Sequence, residues 1–251
     1  MNKILVSRDK IITNSDSVLI DGNVVKLLVS GIYTIEYNDV EDIELCIYVD
    51  GNVDAVLYES SFLDRINVNN RYVVKNGTLR VNKFYDTLIV DEKIDIDLMC
   101  EYSKIDYRFS NICKKNENYI INISHNNRNT VSNINNKTIA MDGSKINFVI
   151  NSIVGKEYEK SILDQNTRIV TIGDTDAKII PNMFIDLDDV EARHGSVIGT
   201  FKDDMVFYLM SRGITYNDSI KLLVKGYLFS NIDVDNVLRE EILSVIDKYW
   251  R

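Results

Sequence analysis

KTIAMDGSKINFVINSIV, residues 137–154, sets an Asp142-Gly143 turn signal just before a β-branched segment, INFVI (146–150). The same combination recurs on both sides. SVLI (17–20), LCIYV (45–49), TLRV (78–81), TLIV (87–90), YIINI (119–123) and RIVTI (168–172) read as short, half-buried strands. Asp21-Gly22, Asp50-Gly51 and Asn76-Gly77 punctuate them as turns. From Lys3 to about Phe201 hardly any segment carries a helical period, so the body is all-β: a sandwich, a jelly roll or a β-helix. No repeat emerges at a fixed period. The tract HNNRNTVSNINN (125–136) fits exposed turns, or stacked Asn at β-helix corners; we read it as solvated loop, with His125 an exposed loop residue.

The composition bounds the function. The chain has 251 residues, 45% apolar and 27% charged, with a net charge of −9. That length supports a sizeable core, and the charge argues against nucleic-acid or anionic-membrane partners, which need a basic footprint. No apolar run of ~20 residues is present to span a membrane. The N-terminus, MNKILVSRDKIITNSDS, holds only a four-residue apolar patch, too short for a signal-peptide core, so a cytoplasmic protein is expected. Cys46, Cys100 and Cys113 are scattered and lack CxxC spacing, which speaks against a disulfide framework or self-contained zinc site; each is expected to be a small buried hydrophobe.

After Phe201 the period changes to helical. Asp203 or Asp204 is expected to cap a helix carrying Met205, Val206, Phe207, Leu209 and Met210 that stops at Gly213. Apolar residues surround this helix, so it is either buried or meets a partner. Thr215 with Asp218 resembles a capping box opening a second helix, whose inner face is Ile220, Leu223, Val224 and Tyr227. A third starts near Asp233–Asp235 and aligns Leu238, Ile242, Val245, Ile246 and Tyr249. The plan is a β body over 1–201 followed by a helical domain over 202–251, which must pack on the body or on another protein.

Enzyme motifs are absent: no GxGxxG, no GxxxxGK[ST], no GxSxG. Asp142-Gly143-Ser144 starts like a calcium loop, but no evenly spaced carboxylates follow. Acidic pairs such as Asp188-Asp189 and Asp203-Asp204 read as caps and solvated faces. His194 stands near the end of the β body, where an imidazole suits a metal ligand or a hydrogen-bonded structural role.

Taken together, IPNMFIDLDDVEARHGSVIGTFKDDMVFYLMSRGI (180–214) resembles the C-terminal signature of the SufB/SufD family of iron–sulfur assembly scaffolds. It is carried by Pro181, Ile185, Asp189-Val190, His194-Gly195, Gly199, Phe207-Tyr208-Leu209 and Ser211-Arg212-Gly213-Ile214. Residues 137–154 and 168–182 look like successive coils of the family's β-helix, and the resemblance covers roughly 115–250.

The resemblance implies a right-handed parallel β-helix body with a small C-terminal helical domain that docks a SufC-like ABC-type ATPase through Phe207, Tyr208, Leu209, Arg212, Gly213 and Ile214. It implies pairing with a SufB-like subunit or a second copy, and a transient iron or iron–sulfur cluster in the complex, with no cofactor held tightly by the isolated chain. His-Gly at 194–195 is the SufD-type form, which makes His194 the candidate iron or cluster ligand at the subunit interface. B-type members carry a cysteine about six residues before the glycine that is here Gly173; Thr167 stands there, without a thiolate. Larger members have an N-terminal, largely helical region, so the chain is expected to be a minimal, non-enzymatic SufD-like subunit. A structural homodimer without a metal role, and a polysaccharide-acting β-helix with stacked aromatics in a groove, are the other readings.

Overall fold

A computed structural model describes residues 2–8, 10–38 and 40–250. The strands are β1 (Asn2–Ser7), β2 (Lys10–Thr13), β3 (Val18–Asp21), β4 (Val24–Leu27), β5 (Gly31–Asn38), β6 (Asp42–Ile43), β7 (Cys46–Ser61) and β8 (Arg65–Tyr85). They continue as β9 (Ile89–Leu98), β10 (Lys104–Cys113), β11 (Asn116–His125), β12 (Val131–Ala140), β13 (Lys145–Val154), β14 (Ser161–Thr171), β15 (Asp176–Ile185) and β16 (Val190–Gly199). Three helices follow: α1 (Asp203–Ser211), α2 (Tyr216–Phe229) and α3 (Asn236–Tyr249).

The body is a parallel β-solenoid of about seven turns. One wall runs β8-β9-β11-β13-β15 and the other β8-β10-β12-β14-β16, with β7 and β8 crossing from wall to wall. Every second residue of a strand points inward, as in β11, where Glu117, Tyr119, Ile121, Ile123 and His125 are all buried. Stacking brings these inward residues into columns, and Phe109, Tyr119 and Phe148 form an interior aromatic ladder, the last two stacked at 4.7 Å.

The drifting length of a turn hides the repeat. Arg65, Ile89, Asn116, Lys145 and Asp176 stand in register at separations of 24, 27, 29 and 31 residues. Each corner has its own length, so no fixed period survives. Asp21-Gly22 does make a hairpin turn between the antiparallel β3 and β4. Asp50-Gly51 and Asn76-Gly77 instead lie inside β7 and β8, where the chain turns a corner with Gly51, Asn52 and Asn76 at positive φ and a register shift between Asp50 and Val53.

Two readings of the Asn-rich tract are corrected. Only 126–130 is loop; Val131 onward is β12, and Asn136 is buried, donating to Thr167 Oγ1 at 3.0 Å. His125 is buried too, occupying the inward phase of β11, with its ring nitrogens 2.7 Å from Thr130 Oγ1 and 2.8 Å from Ser132 Oγ. A polar residue in an otherwise apolar inward column was mistaken for a loop residue. Asparagine ladders do form, on the outer face: Asn122, Asn151 and Asn182 bond in series at 2.8 and 2.9 Å. Of the cysteines only Cys113 is buried; Cys46 and Cys100 are half-exposed.

The helices dock where strand alternation fails. At the ends of β8, β10 and β12 inward and outward residues alike are buried, because α2 and α3 lay Val224, Leu228, Leu238, Ile242 and Ile246 over Phe84, Ile112 and Ile139. Asn231 locks the seam, its amide donating to the Phe109 and Asn135 carbonyls at 2.7 and 3.2 Å. Thr215 caps α2 through the Asp218 backbone N–H, but its hydroxyl also donates to the Asp218 carboxylate, replacing the second arm of a capping box. The expected cap of α1 is not seen: Lys202 is the N-cap with no side-chain bond, and Asp203 and Asp204 sit in the first turn, where they favour the helix dipole.

Candidate functional site

The last turn of the solenoid is open. Inward residues of β11 and β13 are buried, whereas those of β15 are half-exposed and those of β16 from Ala192 to Ile198 are exposed, where no further described coil stacks on them. His194 belongs to this rim. It stands in register with Gln165 of β14, and Ser196 with Thr167. Gln165 and Thr167 are buried and face inward, so His194 looks toward the solenoid's interior while remaining open to solvent. Thr167, compared above with a cysteine of other family members, therefore lies on the strand beside His194 and one inward step along.

Helix α1 is a separate surface. Of its nine residues only Val206 is buried; Phe207 is 73% and Tyr208 58% exposed, with Met205 and Met210 also in solvent. The choice between buried helix and partner-facing helix thus falls on the exposed side. A cleft of about 510 Å³ runs between it and the body, lined by Phe201, Phe207, Met210, Tyr216, Ile220 and Trp250, among others. Leu209 is half-buried, and the Arg212 guanidinium lies 5.3 Å from the Tyr208 ring centre. Gly213 and Ile214 close the helix: Gly213 takes φ +85° and donates to the Met210 carbonyl, and Ile214 to that of Leu209. His194 does not line this cleft.

The sequence reading missed a charged interior. Lys83 is completely buried, its ammonium 2.9 Å from Glu59 Oε1 and bonded to Glu92 Oε1. Tyr37 and Tyr72 donate to Glu59 at 2.7 and 2.8 Å, and Tyr85 reaches both carboxylates. Burial pushes both carboxyls up; Lys83 and the tyrosines more than reverse this at Glu59, while Glu92, beside the Glu59 charge, stays above its usual range. The clue was phase: Lys83 follows Leu79 and Val81 at alternate, inward positions of β8.

One stack along, Glu117 forms no salt bridge among the described residues. Tyr119 donates to its Oε2 at 2.7 Å, Asn111 donates to the same oxygen, and Oε1 has no hydrogen-bond partner among the described residues. Burial pushes this carboxyl up to about 8 and the His125 imidazole down to about 4. Between pH 4.5 and 8 the folded protein holds a proton on Glu117 that the unfolded chain releases, so stability falls as pH rises. His125 acts oppositely from 4 to 6.5, where the unfolded chain takes up a proton and the folded one does not. The two offset each other up to pH 6.5, and above it Glu117 acts alone. Melting temperature should therefore drop between pH 6.5 and 8, and Glu117→Gln should flatten that decline; an equal decline in the variant would show that the carboxyl is not its source.

Among the described residues no group of three or more His, Cys, Asp or Glu side chains is placed to hold a metal ion, and no helix is long and apolar enough to cross a membrane. Residues 56–227 match the family described as SUF system FeS cluster assembly, SufBD core domain. The chain belongs to the SufBD family. The match begins in β7, well before residue 115, so residues 56–115 also belong to the family core, while β1–β6 precede it. An iron–sulfur cluster assembly SufBD family protein of Mycobacterium leprae is 37% identical over 86 residues, which are 33% of this chain and 22% of that protein. The iron–sulfur cluster assembly protein SufD of Escherichia coli is 26% identical over 203 residues, 77% of this chain and 42% of its own length. SufD of Bacillus subtilis is 30% identical over 95 residues, covering 36% and 21%. The chain thus spans less than half the length of each of these SufBD relatives.

Proposed function

We propose that this SufBD chain is a SufD-like scaffold subunit of iron–sulfur cluster assembly, docking a SufC-like ATPase through α1 and pairing with a SufB-like subunit at the open last turn. The observation that carries it is the solvent-exposed apolar face of α1, in the segment that bears the family signature. Phe207 and Tyr208 bring large apolar area to a partner at little entropic cost, and the adjoining cleft can receive a complementary side chain. The rim of β15 and β16 leaves inward residues and strand edges without a covering layer, as expected of a face that meets a second solenoid.

Iron or a nascent cluster is cargo in this reading. His194 contributes one ligand at the rim, and the partner supplies the thiolates that iron–sulfur ligation requires. The chain has no turnover of its own and works in the cytoplasm. The polysaccharide reading gains no support, since the aromatic ladder is interior.

Co-expression of the tagged chain with the SufC-like and SufB-like proteins of its organism tests the proposal. A complex of defined mass containing both is the expected product. Elution as a homodimer, with neither partner retained, would replace it by the structural-homodimer reading.

A further inference from the structure

Beside His194 lies a buried amide with one end unused. Gln165 is 2% exposed, and its Nε2 donates to Ser152 Oγ at 2.7 Å and to the Asn182 carbonyl at 3.2 Å. Both acceptors belong to the opposite wall, on β13 and β15, so the amide plane is held from across the solenoid. Among the described residues its Oε1 has no donor. A buried carbonyl in that state costs free energy until a donor reaches it. The inward positions of β16 are Val190, Ala192, His194, Ser196 and Ile198, and the one in register with Gln165 is His194. Neighbouring strands lie about 4.8 Å apart, within side-chain reach.

We infer that Gln165 is the positioning residue for His194: Oε1 accepts one imidazole N–H and turns the other ring nitrogen, with its free lone pair, toward the open end. The inference rests on the reading of His194 as an iron or cluster ligand. An imidazole that binds metal through one nitrogen carries its proton on the other, and an acceptor held there fixes tautomer and ring orientation. A neutral amide does so at every pH, and this one is braced before any metal arrives.

The chain has only two histidines, which makes the test direct. Ring ¹⁵N shifts are recorded on the full chain labelled at histidine, without metal and with zinc(II) as a diamagnetic probe, for the wild type, Gln165→Met and Gln165→Glu. His125, buried and bonded at both nitrogens, reports that the interior is intact. In the wild type one His194 tautomer should dominate. Gln165→Met should give a mixture and weaken zinc at His194 about tenfold or more, and Gln165→Glu, which keeps an acceptor, should restore the single form.

An unchanged tautomer and zinc response in Gln165→Met, with the His125 signals in place, overturns the inference and leaves the ligand reading standing. Zinc that never perturbs His194 in the wild type removes the ligand reading instead, and the metal-free tautomers then decide the contact. Should the His125 signals move in Gln165→Met, Gln165→Glu decides: loss of the single tautomer there overturns the inference.

Discussion

Lys83→Met is expected to destabilise the whole solenoid by about 3–5 kcal/mol, the cost of leaving a buried charge without its partner. Removal of the ammonium leaves Glu59 and Glu92, both buried, facing one another without a cation. One of them can take up a proton, but Glu59 already accepts from Tyr37 and Tyr72, and those bonds favour its charged form. A single domain is stable by only about 5–15 kcal/mol, so the variant should show a sharply lower denaturation midpoint and poor soluble yield. The triple variant Lys83→Met, Glu59→Gln, Glu92→Gln should recover much of the loss, because amides are far cheaper to bury than carboxylates. Wild-type stability in Lys83→Met alone would mean that the carboxylates do not depend on the ammonium.

Phe207→Glu should act in the opposite way, abolishing capture of the SufC-like ATPase while leaving the melting temperature within about a degree of wild type. With 73% of its surface in solvent, Phe207 contributes little to the fold. A charged group at the centre of a desolvated contact typically costs 2 kcal/mol or more, over tenfold in affinity. Leu209→Glu is a poorer probe, since Leu209 is half-buried and the change would mix folding with docking. Retained capture by Phe207→Glu would move the docking surface away from α1; a collapsed melting temperature would show that the ring serves the core.

The stacked body carries His194 on its open rim, and the seam between the helices and the body is fixed by Asn231 and the Val224–Leu228 stripe. Movement imposed on the helices would be felt first along that seam, on β8, β10 and β12, the strands whose outer residues they cover.

What the sequence determined by itself was local. A strand carries its own period of two, so LCIYV and INFVI were legible as strands without knowledge of their neighbours. The helices were legible for the same reason, from the stripes of α2 and α3 and the Asp235 cap. The signature around His194 and α1 pointed to the right family because its residues lie within one continuous segment.

Only the tertiary structure decided how the coils stack. A turn of 24 residues stacks Lys83 on Glu59, Glu92 of β9 completes that buried cluster, and a turn of 29 residues places Gln165 beside His194. It also decided that His125 is interior and that α1 is left uncovered. Corner length and the absence of a further coil set these outcomes, and neither leaves a periodic trace along the chain.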